Sequence, residues 1–417
     1  MKRIITILLM QLILGGICHA QSCLPDGITF TTQQEIDDFS SNFPDCTTID
    51  GLVNIGAIGG SNISNLNGLS MLTSIQGSLS FGISSLTNFT GLDNLSSIGG
   101  NLSISFNSSL TSMIGLENVS SIGGNLEILS NGLLDNLIGL NGLISVEGNI
   151  EIRGCGALQN LNGLQGLTSV GGYLLIELNA ILINMEGLNN IQTIGGNLRI
   201  GSNIALTNVD GLNNLSSIGG YLYFRDNSAL NSLSALENLN SINGLIFIVL
   251  NPSLNSLIGI QNINPNSIQS STYGDPDLWI SNNSSLSTCH IQSICDFLEI
   301  AGRTKEIHDN ASGCNTTAEI ENACTALSLA SYLESDNNIV IFPNPSESEI
   351  NIRLLNKNSI NNYNITMVNA IGQKISKYSK TVNDDTIKIN TSALPSGIYI
   401  IKIKLDNKIA TKKFIKK

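Results

Sequence analysis

The chain has 417 residues, 20 of them basic and 32 acidic, for a net charge of −12. Residues 339–417 carry 13 basic and 5 acidic residues, net +8, which leaves residues 21–338 at net −22. An acidic body of that size repels phosphate backbones and argues against nucleic acid as a partner, and the change of sign near residue 339 marks a domain boundary.

The first twenty residues read as a secretory signal peptide. Lys2 and Arg3 precede an apolar run from Ile4 to Ile17, and Cys18 and Ala20 stand at A-x-A-like spacing before Gln21. A lipoprotein signal would use Cys18, but bulky Ile17 occupies a place that needs a small residue. No later stretch is long and apolar enough for a transmembrane span.

Residues 21–50 form an N-terminal cap. Thr32 with Glu35 three positions later makes a capping box. It opens a short helix to about Asn42 that turns Ile36 and Phe39 inward and shields the first open edge of the repeats.

From Gly51 to about residue 288 a 24-residue period governs the chain. Glycines recur at 100, 124, 148, 172, 196, 220 and 244, with Gly77 and Gly51 before them at steps of 23 and 26. Such a period marks a solenoid whose coils bury their apolar faces against one another. With the anchor glycine as zero, positions +2 and +4 are apolar throughout, as in Leu102 and Ile104 or Leu222 and Phe224. Their alternation with polar neighbours predicts one short strand per coil, paired in parallel with the next. Apolar columns at +10, +13, +16, +19 and +22 fit a chain that turns repeatedly, through tight turns or 3₁₀ pieces, around an apolar interior. A glycine column at +15, from Gly115 to Gly211, predicts a bend at positive φ. Nine coils at a spacing of about 4.8 Å predict a rod about 40 Å long.

Position +7 holds Asn107, Asn131, Cys155, Asn179, Asn203, Asn227 and Asn251. A buried asparagine column can hydrogen-bond the turns and link coil to coil. Cys155 is the odd thiol. A reactive nucleophile or an intermolecular bridge is the sharper reading; a buried thiol replacing one rung of the column is the simpler one.

These residues resemble leucine-rich repeats, with Leu102-x-Ile104-x-x-Asn107-x-x-Leu110 matching their core and Cys accepted at the Asn position. Residues 46–288 are also similar to the receptor L-domain, through Cys46-Thr-Thr-Ile-Asp-Gly51-Leu and the recurring x-x-Ile-Gly-Gly-Asn-Leu-x-Ile. The resemblance implies a mainly β, leucine-rich-repeat-like right-handed solenoid that binds a partner, without naming the ligand.

At the far end, Leu278, Ile280, Asn283 and Leu286 restore the pattern with the anchor at Pro276, 32 residues after Gly244, so an eight-residue insertion falls within 264–275. Residues 289–325 form a cysteine-rich cap with a helix at Ile291 to Leu298. Cys23 and Cys46 flank the first cap, while Cys289, Cys295, Cys314 and Cys324 crowd the second, as disulfide staples in an oxidising compartment would. The four allow three pairings, of which Cys289–Cys295 and Cys314–Cys324 are preferred here. The alternative of a zinc site lacks any C-x2-C pair; no metal and no cofactor are expected.

After a linker at 326–338, residues 339–417 leave the period. Alternating runs at 350–354, 364–368, 386–389 and 397–405 predict a small antiparallel β-sandwich. The segment resembles the type A C-terminal sorting domain of the type IX secretion system of Bacteroidetes. The matching residues are Phe342-Pro343-Asn344-Pro345, Gly372, Leu394-Pro395-Ser396-Gly397-Ile398-Tyr399, and the ending Lys412-Lys413-Phe414-Ile415-Lys416-Lys417. The resemblance implies export by that pathway, the translocon and sorting machinery as partners, cleavage near the linker, and release or attachment to surface lipopolysaccharide. A basic patch for anionic surfaces is the competing use of the lysines.

No catalytic set stands out. His290 and His308 both lie in the cysteine-rich cap, no G-x-S-x-G elbow occurs, and Gly-Gly-Asn-Leu lacks the lysine and helix of a phosphate loop. The outward strand positions +1, +3 and +5 vary more: Tyr173, Leu175, Arg199, Tyr221, Tyr223, Arg225, then Leu245, Phe247 and Val249. Arg153 lies on the same face, which collects every arginine of the coils. Exposed Tyr and Arg are typical binding anchors, so Tyr173, Arg199, Tyr221, Tyr223 and Arg225 are the candidate site, for a surface protein or a glycan. Leu245, Phe247 and Val249 are also where the insertion would lie as a cover. Adhesion or capture at the cell surface is the leading expectation, a structural spacer without a specific ligand the second, and a hydrolase with an unrecognised site the third.

Overall fold

A computed structural model describes residues 22–57, 59–269, 274–331, 339–354, 362–369, 373–381, 386–405 and 408–417. The signal-peptide assignment, Gly372 and most of the 326–338 linker lie outside these residues.

Each coil contributes two strands, and the coils stack into two parallel sheets. The longer strands, such as Leu102–Ser105, Leu198–Gly201 and Leu222–Arg225, form a twelve-stranded sheet. Its register steps by one repeat, Leu198 opposite Leu222 and Ile200 opposite Phe224. The alternation at +2 and +4 places these side chains in the interior, fully buried. A second, ten-stranded sheet of two-residue strands, such as Ser217–Ile218, was not foreseen. Its inward residue is the +22 apolar column, and two residues per strand are too few for alternation to show.

Between the sheets the +10, +13, +16 and +19 columns are buried without exception from Leu110 to Ile263. Short 3₁₀ turns occur at Asn67–Leu69 and Ser234–Leu236. Gly163 shows why +15 is glycine. Its φ is +121°, and a Cβ would collide with the carbonyl of Leu137 in the preceding coil. A second left-handed corner, at +6, carries ordinary residues such as Phe106, Leu178, Ser202 and Asp226. It turns the chain so that the +7 side chain points inward.

The caps are coils themselves. The outer strands of the long sheet are Ile28–Phe30 at one end and Lys305–His308 at the other. Twelve strands rather than nine make the sheet about 50 Å long. The capping box at Thr32 and Glu35 is present, but the helix is broken at Asp38 into Gln33–Asp37 and Phe39–Asn42. Ile36 and Phe39 are buried, as expected. The second cap holds helices Gln292–Leu298 and Thr317–Ser331.

Cys23–Cys46 pairs as its position suggested. The preferred pairing in the second cap is corrected: the bonds are Cys289–Cys314 and Cys295–Cys324. Cys295 lies inside a helix that packs on the helix carrying Cys324. Cys289 precedes that helix, and Cys314 comes up beside it only after the chain has laid down strand Lys305–His308. Each outermost strand of the long sheet therefore sits within a disulfide-closed loop, 23–46 or 289–314.

Residues 339–417 form two antiparallel sheets. One has three strands, Ile339–Phe342, Glu349–Leu354 and Thr386–Asn390. The other has four, Asn362–Asn369, Lys374–Thr381, Gly397–Leu405 and Lys408–Lys416. Ile350, Ile352 and Ile389 from the first share one core with Ile365, Ile401, Ile403 and Phe414 from the second.

Candidate functional site

The outward +3 column of the long sheet builds a continuous row across four strands. Arg199, Tyr223, Phe247 and Trp279 are successive register partners. Parallel pairing at about 4.8 Å brings such side chains into contact along the solenoid axis. The Arg199 guanidinium lies 4.6 Å from the centre of the Tyr223 ring. Tyr223 and Phe247 stack at 4.6 Å with 14° between planes, and Phe247 meets Trp279 at 4.9 Å and 58°. Tyr221 joins from the +1 column, 6.2 Å from Tyr223.

Charge anchors the start of the row. Arg199 Nε donates to Glu177 Oε1 at 2.5 Å. Burial opposes the charge on Arg199, but the hydrogen bond and charge of Glu177 outweigh it and hold the guanidinium above its ordinary range. Gly201 sits beside Glu177 in the next strand, and its missing side chain leaves the carboxylate room to lean across. At the other end, Trp279 Nε1 donates to Ser281 Oγ at 2.9 Å.

The structure thus brings Arg199, Tyr221 and Tyr223 together and sets exposed Arg225 beside them. Tyr173 precedes the strand that ends in Glu177, one coil from Arg199 and two from Tyr221 and Tyr223. Its hydroxyl is pushed up by partial burial and by the charges of Glu151 and Glu127. Trp279 and Glu177 complete the row and are not among the sequence-predicted contacts. Both were within reach: Trp279 is the +3 residue of the coil anchored at Pro276, and Glu177 the +5 residue of the coil anchored at Gly172. Phe247 is half-buried within the row and Val249 is buried. The described part of the insertion bonds near the start of that coil, where Ile242 N–H donates to Ser267 Oγ and Gln269 N–H to the Gly244 carbonyl.

Cys155 takes its place in the asparagine column. Its N–H donates to Asn179 Oδ1 at 3.0 Å, and burial pushes its thiol up to about 11. A thiol so placed is a poor nucleophile at neutral pH. Among the described residues no cluster of metal-ligating side chains occurs. His308 is held by Asp309 Oδ2 at 2.7 Å and Glu306 Oε1 at 3.2 Å, and chiefly through Asp309 its titration moves above the ordinary histidine range.

In the last domain, signatures far apart in sequence meet. Asn344 Nδ2 donates to the Lys413 carbonyl at 3.0 Å, and Ile415 N–H donates to Asn344 Oδ1 at 2.8 Å. Asn344, between Pro343 and Pro345, thereby fastens the lysine-rich final strand. Tyr399 stacks on Phe414 at 5.3 Å and donates to the Pro395 carbonyl at 2.8 Å. Gly397 opens the strand that bears Tyr399; Lys412 is half-buried and Lys413 exposed.

The molecule is therefore a parallel β-solenoid followed by a small antiparallel domain. Residues 340–417 match the family described as "Secretion system C-terminal sorting domain". That domain directs export through type IX secretion to the cell surface or extracellular space and engages the type IX machinery. Among the described residues no helix is long and apolar enough to cross a membrane. No curated protein matches the chain. Among solved structures it is similar to the cell-surface chitinase ChiW from Paenibacillus at 11% identity and a TM-score of 0.16. The match covers 88% of this chain but 22% of that one. The chain spans about a fifth of that protein's length.

Proposed function

We propose that the exported protein is a non-catalytic binding protein that captures a partner at the cell surface through the outer face of its long sheet. The observation that carries this reading is the packed row from Arg199 to Trp279 on the outer face of the long sheet. Tyr, Trp and Arg are the residues that dominate binding energy when pre-ordered and partly desolvated. The receptor L-domain resemblance of residues 46–288 agrees with it. Tyr173, Arg199, Tyr221, Tyr223 and Arg225, with Trp279, are the proposed contacts.

The test is a screen of the secreted protein against surface proteins and glycans beside a Tyr173→Ala, Tyr221→Ala, Tyr223→Ala variant. A ligand lost in the variant supports the reading. A folded protein that binds nothing in either form favours the second reading, a spacer of the outer layer, for which the regular apolar columns and the asparagine column, replaced once by Cys155, speak. Hydrolysis abolished by a change in the cap would turn the assignment to an enzyme.

A further inference from the structure

If the sheet face is the binding site, its ring geometry names the kind of partner. Tyr223 lies between Arg199 and Phe247 in strand order, and each covers one of its faces. Phe247 is stacked by Tyr223 on one side and crowded on the other by Trp279, which meets it at a tilt of 58°. A sugar binds an aromatic ring by laying its C–H groups on an open face. A ring with both faces occupied offers only its electropositive edge. The centre of this row is therefore a ridge of ring edges and a poor platform for a stacked pyranose.

The same ridge suits a protein. Its members hold one another in place, so little side-chain freedom is lost on docking. Aromatic residues and Arg are what the buried centres of protein interfaces concentrate. Charge gives the partner's sign. Arg199 is neutralised by Glu177. Arg153 and Arg225 are exposed and make no ion pair among those found in the described residues. They occupy the same strand position three strands apart, about 14 Å at the strand spacing. On a body of net charge −22 they are the free cations of the coils.

We infer that the face from Arg153 to Trp279 docks a protein surface that is apolar at its centre and supplies a carboxylate to Arg225. Trp279 is the sole tryptophan of the chain and reports on this face alone. The experiment follows its fluorescence in the full protein with two probes: short peptides selected on the protein from a random displayed library, and a panel of neutral, carboxylated and sulfated hexasaccharides.

The expected result is a set of selected peptides rich in apolar and acidic residues that shift Trp279 emission. Their affinity falls at least about tenfold in Phe247→Ala and in Arg225→Glu, while the hexasaccharides leave the emission unchanged to about 1 mM. Arg225 is exposed, so its variant keeps the fold even if Phe247→Ala does not. A hexasaccharide that saturates a Trp279 shift overturns the protein assignment and leaves the sheet face as a binding site. Peptides that bind without acidic residues and tolerate Arg225→Glu overturn the charge assignment. Ligands of either kind that bind without touching Trp279 emission overturn the site itself.

Discussion

Asn203 Oδ1 accepts the backbone N–H of Asn179 at 3.0 Å while its Nδ2 donates to the Ile176 carbonyl at 2.9 Å. One side chain thus satisfies two buried backbone groups of the preceding coil. The same bond recurs from Asn203 to Asn227, from Asn227 to Asn251 and from Asn251 to Asn283. Changing Asn203 to Ala leaves both groups without partners in a dry interior. The expected loss is about 3 kcal/mol, measured by denaturant unfolding. Changing exposed Asn231 to Ala should lose far less.

The rung at Cys155 gives the converse prediction. Its sulfur is 3.8 Å from the carbonyls of Ile128 and Arg153, longer contacts than the amide makes elsewhere in the column. Cys155→Asn should fold and gain about 1 kcal/mol. In the native protein the thiol should resist iodoacetamide at pH 8 and react once unfolded, because burial holds it protonated to about 11. Labelling followed by mass spectrometry reads both states.

Peptide mapping without reduction should recover Cys289 with Cys314 and Cys295 with Cys324. Replacing Cys295 and Cys324 together by Ser should expose the 317–331 helix to protease and lower stability by about 3 kcal/mol. The coils from Gly100 to Gly220 should keep their strand signal, since each depends on its neighbours alone.

His308 should titrate above the ordinary histidine value, because Asp309 and Glu306 favour its charged form. A folded-state value raised above the unfolded one stabilises the second cap fully below the unfolded value. That contribution is lost as pH rises through the folded value. Asp309→Asn should bring the midpoint down, as an imidazole NMR titration would show. His308 is substantially exposed, so the stability change should shrink in high salt.

The repeat could be read from single columns. Anchor glycines, the +2 and +4 pair and the asparagine rung each point to one place in a coil, and all fell where expected. The second sheet stayed hidden because Ser217–Ile218 offers one inward and one outward residue. The +6 corner was equally silent, since Phe106 and Leu178 carry no mark of a left-handed backbone. The cap pairing depended on which helices pack together, and cysteine spacing does not encode that. In the site, Tyr223 and Arg199 were visible as outward residues. Their stacking with Phe247 and Trp279 emerges only when strands separated by an insertion fall into register.

The two disulfide-closed end loops decide how the solenoid responds to force. Coils joined only to their neighbours unravel from an end, as a zipper does, at a load set by one strand. Here each end strand lies within a covalent loop, so a chain tugged from outside either loop cannot peel it away. Shear at the cell surface, or traction through the sorting domain, must break a whole cap before the first coil yields. A reducing agent should turn that abrupt rupture into gradual, coil-by-coil extension in a single-molecule pulling trace.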